Sequence, residues 1–142
     1  VLPYELLLAV APDHPLARKR SIEPTDLAPQ TLYTYPVEQA RLDVFASFLD
    51  PAGIAPARVE PIETTEIMVQ LVAAGRGVCT LPDWLLEENR TAASLVGVRI
   101  GAQGIRKSLV VSSRREDAGI EYLKDFVMTA ARFPSTRSRS AP

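Results

Sequence analysis

Short apolar runs alternate with amphipathic segments along the chain, and this alternation limits the fold more than any other feature of the sequence. Each run is four to eight residues long and rich in leucine, valine or aromatic side chains, which is typical of buried strands. The runs are YELLLAVA (4–11), TLYTY (31–35), ARVEPI (57–62), VCTL (78–81), LVGVRI (95–100) and SLVVSS (108–113). Strands that alternate with helices over short connections form a sheet with helices on its faces. The sequence therefore predicts an α/β fold with a mostly parallel sheet.

Amphipathic helices are predicted between these runs, because the apolar residues there recur three and four positions apart. The predicted helices are a single turn within 21–28 and longer segments at 38–49, 64–75, 83–90 and 117–132. Ser21 and Thr25 are possible caps for the single turn, while Thr64 and Asp83 suit the N-cap positions of two later helices. Residues 133–142 are rich in serine, arginine and proline, so we predict a disordered tail there.

The composition is that of one globular domain. Of 142 residues, 46% are hydrophobic and 23% are charged, which is enough for a sizeable core. The formal net charge of -1 argues against a DNA-binding module, since a phosphate backbone requires a basic face. The single cysteine, Cys79, excludes an internal disulfide and fits a reducing compartment. No apolar run is long enough to span a membrane. Because no charged segment precedes LLLAVA, we interpret the chain as part of a longer one rather than as beginning with a signal peptide.

A Gly-Arg-Gly sequence lies within LVAAGRGVCTLP (71–82), and glycines of this kind occur in phosphate-binding loops. Those loops follow a strand and precede a helix, whose N-terminus supplies amide donors and the positive end of the dipole. Here the order is helix, glycines, strand, so Gly75 and Gly77 lie at the negative end of a helix. We therefore predict that Gly75 ends the helix in a left-handed conformation and that a tight connection leads into the strand.

No set of residues in the sequence has the pattern of a catalytic or metal site. His14 is the only histidine and lies in a proline-bounded turn, where a structural role is expected. Cys79 lies within an apolar run and is interpreted as a small buried hydrophobe. Trp84 is assigned to the apolar face of a short helix. We predict that the chain is not an enzyme and holds neither a metal ion nor a cofactor.

Hydroxyl-bearing residues stand where two predicted strands lead into helices. Thr64 and Thr65 follow the run at 57–62, and TYPVE (34–38) leads from the run at 31–35 into the next helix. In open α/β sheets, ligands bind beyond the carboxyl ends of the strands, where helix N-termini suit a carboxylate or another small anion. Two interpretations of these residues stay open: a small-anion site, or ordinary helix caps.

Four stretches, taken together, are similar to a known family. VAPDHPLA (10–17), DLA (26–28), AGIAP (52–56) and LVAAGRGVCTLP (71–82) occur in an order and spacing that resembles the effector-binding domain of LysR-type transcriptional regulators, over residues 3–132. The stretch LYTYPVEQARLDVFASFLDPAGIAP (32–56) further resembles members that activate methionine biosynthesis and respond to homocysteine. The resemblance implies a cytoplasmic regulator whose effector-sensing and oligomerisation domain binds homocysteine or a related amino acid as co-inducer.

The family implies a periplasmic-binding-protein-like fold of type 2, in which two α/β subdomains flank an effector cleft. Residues 1–11 would be a crossing strand from the first subdomain, and 12–103 would be the complete second subdomain. Residues 104–132 would be the returning strand and the C-terminal helix of the first subdomain, which is therefore expected only in part. The DNA-binding helix-turn-helix is expected outside this chain. The resemblance also implies a homodimer or homotetramer in the full-length protein, without membrane contact.

Carried over residue by residue, the family's effector site falls at the ends of three predicted strands. It comprises the turn after the second run, a polar helix start and the end of the VCTL strand. The implied effector-binding residues are Tyr35, Pro36, Val37, Thr64, Thr65, Leu81 and Pro82. A solute-binding module of a transporter would share the broad fold but would need an export signal upstream. A small α/β enzyme would need a nucleophile or an acid–base pair.

Overall fold

Seven strands form a mixed sheet in the computed structural model, which describes residues 2–90 and 93–132. The strands are β1 (Leu2–Val10), β2 (Ser21–Ile22), β3 (Thr31–Thr34), β4 (Arg58–Pro61), β5 (Val78–Pro82), β6 (Val96–Ile100) and β7 (Ile105–Leu109). The helices are α1 (Pro24–Leu27), α2 (Thr65–Ala73), α3 (Asp83–Asn89) and α4 (Glu121–Arg132). The tail predicted at 133–142 lies outside the described residues.

Three strand pairs in the sheet are parallel, whereas β1 runs antiparallel to two of its neighbours. The strand order is β2-β6-β1-β5-β3-β4, and β7 pairs with β1. β3 is parallel to both β4 and β5, and β2 is parallel to β6. β1 runs antiparallel to β5 and to β6. The predicted α/β fold is confirmed, and the one antiparallel strand makes the sheet mixed.

The chain divides into two compact units. One contains Glu5–Ile105, and with it most of β1, the strands β2 to β6 and the first three helices. The other contains Val1–Tyr4 and Arg106–Pro142; its described part holds the start of β1, most of β7, a 3-10 segment at Arg115–Gly119 and α4. All seven predicted effector-site residues belong to the larger unit.

Two apolar clusters form the core of the larger unit, one on each face of the sheet. Consecutive side chains of a strand point to opposite faces, so β1 places Leu8 and Val10 in one cluster and Ala9 in the other. The first cluster also contains the buried residues of α1 and of the segment that follows β3. The second contains Met68 of α2 and Leu86 of α3. The helices that begin at the candidate site are therefore anchored on one face of the sheet.

The connection from α2 to β5 has the structure that the sequence predicts. Thr64 is the N-cap of α2, and its hydroxyl accepts a hydrogen bond from the Ile67 amide at 3.4 Å. Gly75 follows the helix with a φ of 70°, the left-handed conformation that glycine adopts without strain. Gly77 is needed for a different reason: a Cβ there would lie 2.6 Å from both the Thr31 carbonyl oxygen and the Tyr33 ring. The two glycines thus end a helix and allow close packing.

The helix predicted at 38–49 is wrong in its type. The segment instead holds a 3-10 turn at Gln39–Arg41, a π-helix at Val44–Leu49 and a second 3-10 turn at Asp50–Ala52. Leu42 is extended, with φ -93° and ψ 122°, and separates the first two pieces. Val44, Phe45 and Leu49 are all buried, and their spacing suits the wider π-helix turn better than 3.6 residues per turn. Core packing has therefore overridden the apolar spacing on which the prediction relied.

Several predicted ends are also corrected. Glu23 caps α1 in a reciprocal capping box with Asp26, so neither Ser21 nor Thr25 is the cap. Asp83 is the first residue of α3 rather than its N-cap, and its carboxylate accepts a hydrogen bond from the Trp84 amide at 2.8 Å. The strand predicted at 108–113 is β7 at Ile105–Leu109, because the turn before it closes at 101–104. The last helix begins later than predicted, after the 3-10 segment.

Candidate functional site

The candidate site lies at the carboxyl edge of three parallel strands. Because β3, β4 and β5 run in the same direction, their carboxyl ends meet at one edge of the sheet. Residues 35–37 directly follow β3, residues 64–65 follow β4 and begin α2, and residues 81–82 end β5. The structure thus brings all seven predicted residues to the edge where ligands bind in open α/β sheets.

A hydrogen bond joins two of these segments. The hydroxyl groups of Tyr35 and Thr65, which are 30 residues apart in sequence, lie 2.7 Å from each other. Both residues are half-buried, and either hydroxyl can be the donor. The Ile62 amide also donates to the Thr34 carbonyl oxygen at 2.8 Å, which holds the end of β4 beside the end of β3. The start of α2 is therefore fixed relative to the turn after β3.

The N-terminus of α2 carries the donors of the site. The Thr64 hydroxyl already accepts from the Ile67 amide, and the Thr64 carbonyl oxygen accepts from the Met68 amide at 3.2 Å. The amides of Thr65 and Glu66 lie in the first turn of α2, where the helix offers them no carbonyl oxygen as an acceptor. Together with the positive end of the helix dipole, they suit a carboxylate. The Glu66 side chain adds a negative charge in the same turn, which favours the helix itself.

Apolar side chains flank these donors. Val37 is 47% exposed and Ile67 is 55% exposed, whereas Pro82 is half-buried. Pro36 is exposed in the turn that the Val37 amide closes by donating to the Tyr35 carbonyl oxygen at 2.8 Å. Leu81 differs from the other six residues, because its side chain is fully buried in the core. The accessible part of the site therefore combines hydroxyl and amide donors with a small apolar surface.

An ion pair at the same edge was missed by the sequence reasoning. The antiparallel register places Leu6 of β1 opposite Pro82, and Leu7 opposite Arg99 of β6. The Arg99 guanidinium donates two hydrogen bonds to the Glu5 carboxylate, at 2.8 and 3.3 Å. Hydrogen bonding to Glu5 and the charge of its carboxylate raise the pKa of Arg99 above its ordinary value. The sequence did carry a signal for this pair, because each of two apolar runs contains one charged residue: Glu5 in YELLLAVA and Arg99 in LVGVRI.

The surroundings of His14 and Cys79 fit the structural interpretation that sequence analysis gave to both residues. His14 caps a 3-10 turn at Pro15–Arg18: its Nδ1 accepts from the Leu16 amide at 3.1 Å, and its Nε2 lies 3.2 Å from the Gln30 side-chain oxygen. Cys79 is fully buried, and burial raises the pKa of its thiol to about 12. Within 2–90 and 93–132, histidine, cysteine and acidic side chains form no group that could hold a metal ion. Among the helices described, none is long and apolar enough to cross a bilayer.

A family model of known proteins matches almost the whole chain. The model describes the LysR substrate binding domain, and it matches residues 1–133. The chain belongs to the LysR substrate-binding domain family. The resemblance inferred from the four sequence stretches is therefore confirmed, and LysR-family proteins are transcriptional regulators.

Relatives and solved structures agree with the LysR assignment. The HTH-type transcriptional regulator MetR of Escherichia coli (strain K12) is 38% identical over 127 residues, which are 89% of this chain and 39% of MetR. MetR of Salmonella typhimurium (strain LT2) is 41% identical over 114 residues, which are 80% of this chain and 35% of that protein. This LysR-family chain thus spans less than half the length of these relatives.

The solved structures show the fold. The regulatory domain of MetR from N. meningitidis is 36% identical, with a TM-score of 0.80, and the match covers 89% of this chain and 58% of that one. The effector binding domain of QuiR in complex with shikimate, at 19% identity, has a TM-score of 0.62 and covers 91% of this chain and 62% of that one. The predicted periplasmic-binding-protein-like fold of type 2 is confirmed by these neighbours.

Proposed function

We propose that the chain is the effector-sensing and oligomerisation part of a cytoplasmic LysR-family regulator, and that a small metabolite binds at the carboxyl edge of β3, β4 and β5. The observation that carries this proposal is the meeting of the Tyr35–Thr65 hydroxyl pair with the N-terminus of α2 at that edge. The family model describes a substrate-binding domain, so a ligand site is expected in this chain. The edge supplies hydrogen-bond donors, the positive end of the α2 dipole and an apolar border, which suit such a site.

The effector that fits this edge best is a small amino acid, and we propose homocysteine or a close relative. The amides at the start of α2 and the Thr64 and Thr65 hydroxyls suit the carboxylate of such a molecule. Val37 and Pro82 offer apolar contact to a short side chain. The relatives at 38% and 41% identity carry the name MetR, which supports a ligand from methionine metabolism.

Each predicted residue then has a distinct part. Tyr35 holds Thr65 in place through their hydrogen bond, and Thr64 both caps α2 and faces the ligand. Pro36 and Val37 border the ligand on the side of β3, and Pro82 borders it on the side of β5. Leu81 acts from the core by anchoring the end of β5, because its side chain is fully buried.

The domain layout follows the family. We propose that residues 12–103 are the second effector subdomain and that 1–11 and 104–132 belong to the first. The full-length protein would be a homodimer or homotetramer that contacts DNA through a helix-turn-helix outside this chain. Effector binding would favour one arrangement of the subunits on DNA, because a ligand shifts a population only by its difference in affinity between two states.

The test is a calorimetric titration of the full-length protein with L-homocysteine, L-homoserine, L-methionine and succinate. The proposal expects saturable heat with homocysteine and weaker binding of the other amino acids. Heat with succinate and none with any amino acid would overturn the choice of effector but keep the sensing function. No binding of any metabolite, together with unchanged DNA affinity, would overturn the sensing function. A transporter module is less well supported, because the relatives found are HTH-type regulators.

A further inference from the structure

Trp84 is placed differently from the other apolar residues of its helix. It is the second residue of α3 and lies two positions after Pro82, which ends β5 at the candidate site. Leu85 and Leu86 of the same helix pack on the core cluster that contains Ala9 and Met68. Trp84 is half-buried, yet within the described part of the chain it belongs to neither core cluster. The sequence assigned Trp84 to the apolar face of its helix, and in the described residues its side chain lies outside both core clusters.

The polar atom of this side chain has no partner in the part of the chain that the structure describes. The indole Nε1 of Trp84 is buried from solvent and has no hydrogen-bond acceptor among the described residues. An indole N–H is a donor only, so no rearrangement of its own proton can satisfy it. A buried donor left unpaired destabilises the folded state, and most buried polar groups in native proteins are paired. A phenylalanine would keep an aromatic ring at this position without the unpaired donor.

We infer that the indole N–H of Trp84 donates a hydrogen bond to an oxygen of the bound effector, which makes Trp84 a specificity-determining residue; this rests on the proposed function. The strand that leads into α3 lies between β3 and β1 in the sheet and is parallel to β3, so the start of α3 and the turn that holds Tyr35 lie at the same edge. A carboxylate oxygen is the favoured acceptor, since a hydrogen bond to an ionised group is the stronger kind. Because the N–H is shielded from water, the side chains around it must rearrange before an effector oxygen can reach it.

The inference is tested in the full-length protein with Trp84→Phe and a matched control, Leu85→Ala. Trp84→Phe removes the donor and keeps an aromatic ring, whereas Leu85→Ala removes core packing from the same helix and leaves the donor. Titrations use L-homocysteine and the other metabolites of the panel above. The indole N–H resonance that is absent from the Trp84→Phe spectrum identifies Trp84 in a ¹⁵N-labelled sample.

The expected result is a separation of binding from stability. Trp84→Phe should keep or raise the midpoint of thermal unfolding without ligand and weaken effector binding roughly tenfold or more. Leu85→Ala should lower that midpoint and leave the Kd within about twofold of the wild type. In the wild-type protein, the Trp84 resonance should shift as the effector is added.

Other outcomes overturn the inference in distinguishable ways. If the wild type binds the effector and Trp84→Phe binds equally well with an unmoved indole resonance, Trp84 has no part in recognition while the proposed function stands. If Trp84→Phe destabilises the protein as Leu85→Ala does and keeps its Kd, the ring is structural. If the wild type binds no metabolite of the panel and its DNA affinity is unchanged by them, the proposed function falls, and the inference falls with it.

Discussion

Thr64 allows the cap and the proposed effector site to be separated, because the two roles respond differently to charge. Its hydroxyl caps α2 by accepting from the Ile67 amide at 3.4 Å, a long hydrogen bond, and its side chain is exposed. Asparagine and aspartate are both good N-cap residues, so Thr64→Asn and Thr64→Asp should each keep the helix start. The two variants have nearly the same shape and differ by one negative charge.

The expected difference in effector affinity between the two variants follows from the position of that charge. A ligand carboxylate held by the first-turn amides of α2 would lie about 5 Å from an aspartate at the N-cap, a repulsion of ~1 kcal/mol in water and ~3 kcal/mol near a protein surface. Because Thr64 is exposed, we expect the lower part of this range, about 1–2 kcal/mol. Thr64→Asp should therefore bind effector roughly 5- to 30-fold more weakly than Thr64→Asn. The ratio should shrink as salt is added.

The assay combines thermal unfolding with calorimetric titration of both full-length variants at low and high salt. Equal unfolding midpoints would establish that the cap is intact in each variant. If both variants then bind the effector with the same Kd, no carboxylate lies at the start of α2, and the reasoning from the helix N-terminus is refuted. If both lose binding equally, the hydroxyl or the shape of threonine matters rather than the charge.

Three further predictions concern packing, burial and the hydroxyl pair. Gly77→Ala should lower the free energy of unfolding by about 1–3 kcal/mol through overpacking, as measured by urea unfolding. Gly119→Ala is the control, because its added Cβ meets nothing within 4 Å, and it should change that free energy by less than about 0.5 kcal/mol. Equal effects of the two variants would contradict the close packing at Gly77. Cys79 should resist iodoacetamide at pH 8 until the protein is unfolded, because its thiol is buried. Burial also raises the pKa of this thiol from 9.0 to about 12, so between these pH values the thiol is ionised in the unfolded state and protonated in the folded state. The free energy of unfolding should therefore fall between pH 9 and 12, and a Cys79→Ala variant should lack that fall. Tyr35→Phe removes the hydrogen bond to the Thr65 hydroxyl, so it should destabilise the protein by about 0.5–1.5 kcal/mol and weaken effector binding, as measured by calorimetry. Unchanged binding would show that the hydroxyl pair is not part of the effector site.

Local features of the chain were predictable because they depend on few neighbours. The N-cap of α2 at Thr64 and the left-handed Gly75 just after its end follow from cap chemistry within one helical turn. The positions of the predicted site residues at one sheet edge follow from the rule that parallel strands share a carboxyl edge. The π-helix at Val44–Leu49 was not predictable, because its wide turn is stabilised by three side chains that the core buries.

The sequence by itself determined the alternation of strands and helices, the family and the segments that carry the candidate site, since apolar periodicity and short motifs are written in the order of residues. Only the tertiary structure decided which distant residues meet. The Glu5–Arg99 pair spans 94 positions and depends on the register of β1 against β6. The burial of the Trp84 N–H, which has no partner among the described residues, depends on how α3 packs after β5. Such contacts arise from register and packing over long separations, and these are settled by the burial of the whole core rather than by any local stretch of sequence.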